Sequence, residues 1–164
     1  MTEPQHIVIL GIGNILLADE GVGVRVIERL EDRYGFSDDV TLLDGGVLGL
    51  NLLGIMVDAD HIVVVDAVRG HGHPGSLYRL EEDELPEHFT TKSSLHEVGF
   101  PEILAACRAL GKVPDIVVVG VEPEDIETPS LDLTPAIQAR MDEITAMVLE
   151  ELDRLGATYW ERNP

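Results

Sequence analysis

Three acidic residues stand where apolar runs end. Glu20 lies in GIGNILLADEGVGVR, Gly11 to Arg25, directly after the run from His6 to Leu10. Asp44 follows Val40–Leu43 in LLDGG, and Asp66 follows His61–Val65 in VVVDA. If these runs are strands of one parallel sheet, their carboxyl ends border the crevice where such sheets bind ligands. Three carboxylates crowded there would raise one another's pKa values, and a cation would relieve the conflict. Each could equally accept N–H bonds within its own turn, the commoner fate of a strand-end aspartate.

Of six histidines, His96 in SSLHEVGF is the one that could join the acids. It sits in an irregular stretch just before a predicted helix, within reach of the crevice, although a surface role suits it as well. His71-Gly72-His73 could chelate a metal, but its glycine and proline neighbours read as a mobile polar loop with no acid nearby. His61 reads as structural, and His6 and His88 as surface residues. The pair His96-Glu97 begins like H-E-x-x-H, but Phe100 takes the place of the second histidine. A G-x-S-x-G elbow is absent. Cys107 shares a helix face with Ile103 and Leu110 and reads as core. Serine and cysteine hydrolase chemistry is therefore disfavoured.

A glycine turn between strand and helix usually marks a dinucleotide cradle. The fingerprint G-x-G-x-x-G fails here, because Leu16 stands where the third glycine belongs. Asp19 and Glu20 near the helix start would repel a pyrophosphate that the free N–H groups attract. Acids in a first helical turn also serve as plain stabilisers, worth about 0.3–1 kcal/mol. Asp44 resembles the acid that grips a ribose, which keeps a nucleotide-binding domain as an alternative. NAD, FAD and ATP are not expected to bind.

The elements that must hold these residues alternate. Ile7–Leu10, Val40–Leu43, His61–Val65 and Ile116–Val119 read as buried parallel strands, and the alternating Ser76–Leu80 as an edge strand. Helical spacing covers Val22 to Tyr34, with Gly35 as the stop, then about 50–57 and about 101–110, with Gly111 as terminator. A last helix starts at Thr134-Pro135 and carries Ile137, Met141, Ile144, Val148 and Leu152 on one stripe. The expectation is a single α/β domain over residues 1–164: a twisted, mostly parallel five-stranded sheet with helices on both faces.

At 164 residues the chain can bury a real core, and 45% hydrophobic with 26% charged residues are globular values. A net charge of −20 disfavours nucleic acid and anionic membranes and favours cationic partners, if it does more than keep the protein soluble. One cysteine excludes an internal disulfide or a cysteine metal cluster. No run looks like a membrane span or signal peptide, so a cytoplasmic monomer is expected.

In this order and in a chain of this size, GIGNILLADEGVGVR, LLDGG, VVVDA and SLHEVGF resemble the nickel–iron hydrogenase maturation endopeptidases. The resemblance covers about Ile7 to Val121. It implies an enzyme that trims a C-terminal extension from a hydrogenase large-subunit precursor after nickel insertion. Motif by motif, the family's nickel-recognising Glu, Asp and His fall on Glu20, Asp66 and His96. Nickel is then carried in by the precursor, and zinc or cadmium can substitute in vitro. One imidazole with two carboxylates suits such borderline ions and leaves coordination positions open. Asp44 is the candidate general base or substrate-positioning residue, with Gly45 and Gly46 leaving room for a substrate strand. A non-cleaving, nickel-binding checkpoint protein is the alternative within this resemblance.

Overall fold

Runs of Val, Ile and Leu too short for helices build the centre of the molecule. The structure is a computed structural model and describes residues 5–46, 53–84 and 100–163. Among these, β1 (Ile7–Ile12), β3 (Val40–Gly46), β4 (His61–Ala67), β5 (Leu77–Glu81) and β6 (Asp115–Val121) form one sheet in the order β3-β1-β4-β6-β5. All pairings are parallel except that of β5, which runs antiparallel to β6 at the edge. Every residue of β1 is buried, as a central strand covered on both faces requires.

Register decides which side chain meets which layer. Ile7 pairs with Val40 and with His61, so residues 7, 9 and 11 share a face with 40, 42 and 44 and with 61, 63 and 65. That face is covered by α1 (Val22–Arg33), α4 (Pro135–Gln138) and α5 (Met141–Leu155). Val22, Val26, Ile27 and Leu30 form the apolar stripe of α1, at the spacing of one helix face, and all are buried. Truncating Leu30 to alanine would cost about 2–5 kcal/mol. The opposite face, bearing Val8, Leu10, Ile62 and Val64, is covered by Met56 of α2 (Leu53–Val57) and Cys107 of α3 (Phe100–Ala109).

Three expectations need correction. Helix α1 ends at Arg33, one residue before Tyr34 turns extended (φ −131°), so Gly35 is not its stop. Gly35 lies instead in β2 (Tyr34–Phe36), paired antiparallel with β7 (Tyr159–Glu161), where a β-carbon would overlap the Trp160 ring. Tyr34, Phe36 and Tyr159 close this small sheet with ring centroids 6.1–6.5 Å apart. The last helix is two: it starts at Pro135 as expected, breaks at Ala139 and Arg140, and resumes at Met141. Its whole predicted stripe is buried nonetheless. Leu110 is 63% exposed, so it does not share the buried side on which Cys107 lies. No described helix is long and apolar enough to cross a membrane.

Candidate functional site

The connections that follow the neighbouring strands β1 and β4 lead to opposite faces of the sheet. From β1 the chain passes to α1 on one face; α2 and α3, which flank β4 in sequence, lie on the other. β1 and β4 are adjacent, so their carboxyl ends border the crevice at this switch point. Asp66 is the penultimate residue of β4, and Glu20 lies in the turn after β1.

Glycines bring these two ends together by backbone contact. Gly11 faces the Gly23 carbonyl, where a β-carbon would overlap it, and Gly23 is packed as tightly on the carbonyls of Val65 and Ile12. Gly13, at φ +131°, lies against the Glu20 carbonyl oxygen. The glycine turn thus docks the start of α1 onto the ends of β1 and β4. Phosphate cradling would need that backbone open, and here it is filled.

Glu20 itself sits half-buried in a 3-10 turn, Ala18–Gly21. Ala18 has φ +49°, a left-handed conformation rare for a residue with a side chain and costing ~1–3 kcal/mol. Its neighbour Asp19 is fully buried, and its carboxylate explains how the turn persists. Oδ2 accepts the N–H groups of Glu124 and Asp125, both at 3.0 Å, and Oδ1 accepts that of Thr134 at 2.8 Å. The Thr134 hydroxyl donates to the same carboxylate, 2.9 Å from Oδ2. Asp19 is therefore neither an ordinary first-turn acid nor an available ligand.

Asp66 is 2% exposed, and its Oδ1 accepts the Ala67 N–H at 2.8 Å. By alternation it shares the α2/α3 side of the sheet with Ile62 and Val64. Asp44 is exposed and pairs in register with Gly11, and by alternation lies on the α1 side with Leu42. It stands two strands from β4, about 10 Å across the sheet. A register shift beyond Gly11 leaves Gly45 as an extra residue opposite β1. His96 lies outside the described residues, so Glu20 and Asp66 are the members of the expected trio that the fold positions.

Sequence reasoning passed over a further acid. Glu122, directly after β6, is 6% exposed, and its Oε1 accepts the N–H groups of Gly70 (2.8 Å) and Gly72 (3.0 Å) and the Tyr78 hydroxyl (2.8 Å). The segment bearing His71 and His73 is thus tied to a buried carboxylate, contrary to the reading of a loose loop without an acid. Burial, then the bond to Glu122, pushes the Tyr78 hydroxyl above its ordinary pKa. The signal that singled out Asp66, an acid ending an apolar run, was equally present in VVVGVEP. Burial likewise pushes the Cys107 thiol up, in keeping with a core role. An open groove of about 480 Å³ lies between Arg25, Gln138 and Met141 and the 131–133 segment, but neither Glu20, Asp44 nor Asp66 lines it.

Known proteins share both sequence and fold with this chain. The hydrogenase maturation protease family model matches residues 24–151. The chain is 42% identical over 154 residues to the hydrogenase 2 maturation protease of Escherichia coli K12, covering 93% of each chain. It is 40% identical over 165 residues to the hydrogenase expression/formation protein HoxM of Azotobacter vinelandii, covering 99% of this chain and 79% of that one. The structure of the hydrogenase maturating endopeptidase HybD from E. coli superposes with a TM-score of 0.89 at 41% identity, over 96% of this chain and 98% of the other. That of the [NiFe] hydrogenase maturation protease HycI from Thermococcus kodakarensis gives 0.72 at 25% identity, over 91% and 93%. A dinucleotide-binding reading finds no support beside these matches. The mostly parallel five-stranded sheet, the family model and these relatives agree: the chain belongs to the hydrogenase maturation proteases.

Proposed function

We propose that this peptidase removes the C-terminal extension of a nickel–iron hydrogenase large-subunit precursor after nickel insertion, and that Glu20, Asp66 and His96 read the inserted nickel. The observation that carries the reading is the docking of the Glu20 turn, through Gly13 and Gly23, onto the ends of the two strands that border the crevice. Two carboxylates and an imidazole suit a borderline divalent ion, and three protein ligands leave positions for thiolates of the precursor. Nickel is cargo of the substrate here; bound, it can polarise a carbonyl and acidify a water. Metal-loaded precursor then gains ligands that empty precursor lacks, and docking discriminates between them.

Asp44 fits the substrate-positioning role better than that of general base. It is exposed near the end of β3, which pairs only with β1 among the described residues, on the face opposite Asp66. An extended precursor strand laid along that edge would meet Asp44 and the extra residue Gly45. The setting is a monomer in the cytoplasm, with the −20 charge drawing a basic face of the precursor.

Incubating the protein with nickel-loaded and nickel-free precursor and weighing the products tests this. The loaded precursor alone should lose a C-terminal peptide. Equal cutting of both removes nickel recognition, and a stable complex without a cut makes the protein a checkpoint.

A further inference from the structure

We infer that Asp19 is the positioning residue for Glu20, holding the turn that presents it by bonds to residues more than a hundred positions away. The inference rests on the reading of Glu20 as a metal ligand. Its basis is a buried carboxylate whose two oxygens are filled by three backbone N–H groups and one hydroxyl, at sequence separations of 105 to 115. With both oxygens so engaged, Asp19 is not itself a ligand.

The turn needs such a hold. Ala18 precedes Asp19 with φ +49°, and left-handed backbone at a non-glycine residue persists only where its surroundings impose it. The surroundings here are the 124–134 segment. Ala18 N–H donates to Ser130 O (3.0 Å), Asp19 N–H to Asp125 O (2.9 Å), and Ser130 N–H to Leu16 O (2.9 Å). From the other side Gly13 presses on the Glu20 carbonyl. Glu20 is thus gripped between the end of β1 and a segment that follows β6.

Thr134 supplies independent support. It occupies the N-cap of α4, yet its side chain makes no capping bond and donates to Asp19 instead. A threonine at this position ordinarily stabilises its own helix by about 1 kcal/mol. Here its hydroxyl serves the turn that carries Glu20. Metal sites need their ligands held within about 0.5 Å, and loss of a supporting partner typically weakens metal affinity about 10–100-fold.

Cadmium titration of the full chain, below the unfolding range of each variant, tests this alongside deuterium uptake over residues 14–21. Asp19→Asn should bind cadmium about tenfold or more weakly, and Thr134→Val about threefold, while Thr134→Ser restores affinity to within about twofold of wild type. Uptake over 14–21 should quicken in Asp19→Asn and stay unchanged over α5. A folded Asp19→Asn protein that binds cadmium like wild type overturns the inference. If Asp19→Asn does not fold, the Thr134 pair decides: equal affinity of the Val and Ser variants overturns it. Wild type that takes up no cadmium, or Glu20→Gln that binds as well as wild type, overturns instead the ligand role of Glu20. Deuterium uptake then decides alone whether Asp19 holds the turn.

Discussion

Gly23 packs against Val65 so closely that a β-carbon on it would overlap the Val65 carbonyl oxygen. The residue after Val65 is Asp66, and Glu20 lies three positions before Gly23, so this contact joins the two acids' supports. Gly23→Ala should push α1 away from β4 and lower stability by about 1–3 kcal/mol. Gly54, on α2, is the control, because a β-carbon there would meet nothing within 4 Å. Gly54→Ala should stabilise by about 0.4–1 kcal/mol through the unfolded chain. Urea unfolding of both proteins checks the pair; equal midpoints would mean the contact yields without strain.

Glu20→Gln, Asp66→Asn and His96→Ala separate recognition from folding. Each should cut processing of nickel-loaded precursor by about 10–100-fold, because docking loses a ligand. For the two acid variants stability should hold or rise, since removing one charge relieves repulsion between Glu20 and Asp66. If the two acids serve only their own turns, substitution instead costs about 1 kcal/mol and leaves processing intact.

Asp44→Asn distinguishes its two roles. Weaker precursor binding with cleavage retained at saturation marks a positioning residue. Unchanged binding with cleavage abolished marks a general base, and would contradict the placement argued from its sheet face.

Tyr78 supplies a pH test with a definite sign. Its pKa is raised in the folded protein, so above about pH 10 the unfolded chain releases a proton that the folded chain keeps. The contribution is full below that pH and is lost as pH rises through the folded value. Tyr78→Phe should cost about 1.5–3 kcal/mol near neutrality, through the lost bond to the Glu122 carboxylate, and the gap to wild type should narrow above pH 10. Denaturant titrations at pH 8 and pH 11 check it; a gap that widens with pH would refute the assignment.

Elements with strong local signals were legible in the sequence. Four parallel strands, the antiparallel edge strand and the buried stripe of the last helix follow from β-branched runs and helical spacing. The β2–β7 pair was not, because three-residue strands carry little pattern and Gly35 mimics a helix stop when Trp160 is not in view. The break at Arg140 escaped for a similar reason: an apolar stripe continues across it. At the site, Glu20 and Asp66 were legible as strand-end acids, and a family resemblance singled them out. Asp19 read as a first-turn acid because its partners lie 105 to 115 residues away, a separation no local spacing rule spans.

The small sheet at the far end of α1 has a spectroscopic consequence. Trp160, the one tryptophan of the chain, is 53% exposed and stacked over Gly35. Twelve residues of α1 separate that end from the Glu20 turn, roughly 18 Å of helix. Intrinsic emission therefore watches the β2–β7 clasp, where Arg162 N–H also donates to Arg33 O at 2.8 Å. Metal arriving at the crevice should leave that emission nearly unchanged, whereas fraying of the carboxyl-terminal strand should redden it while the parallel sheet stays intact.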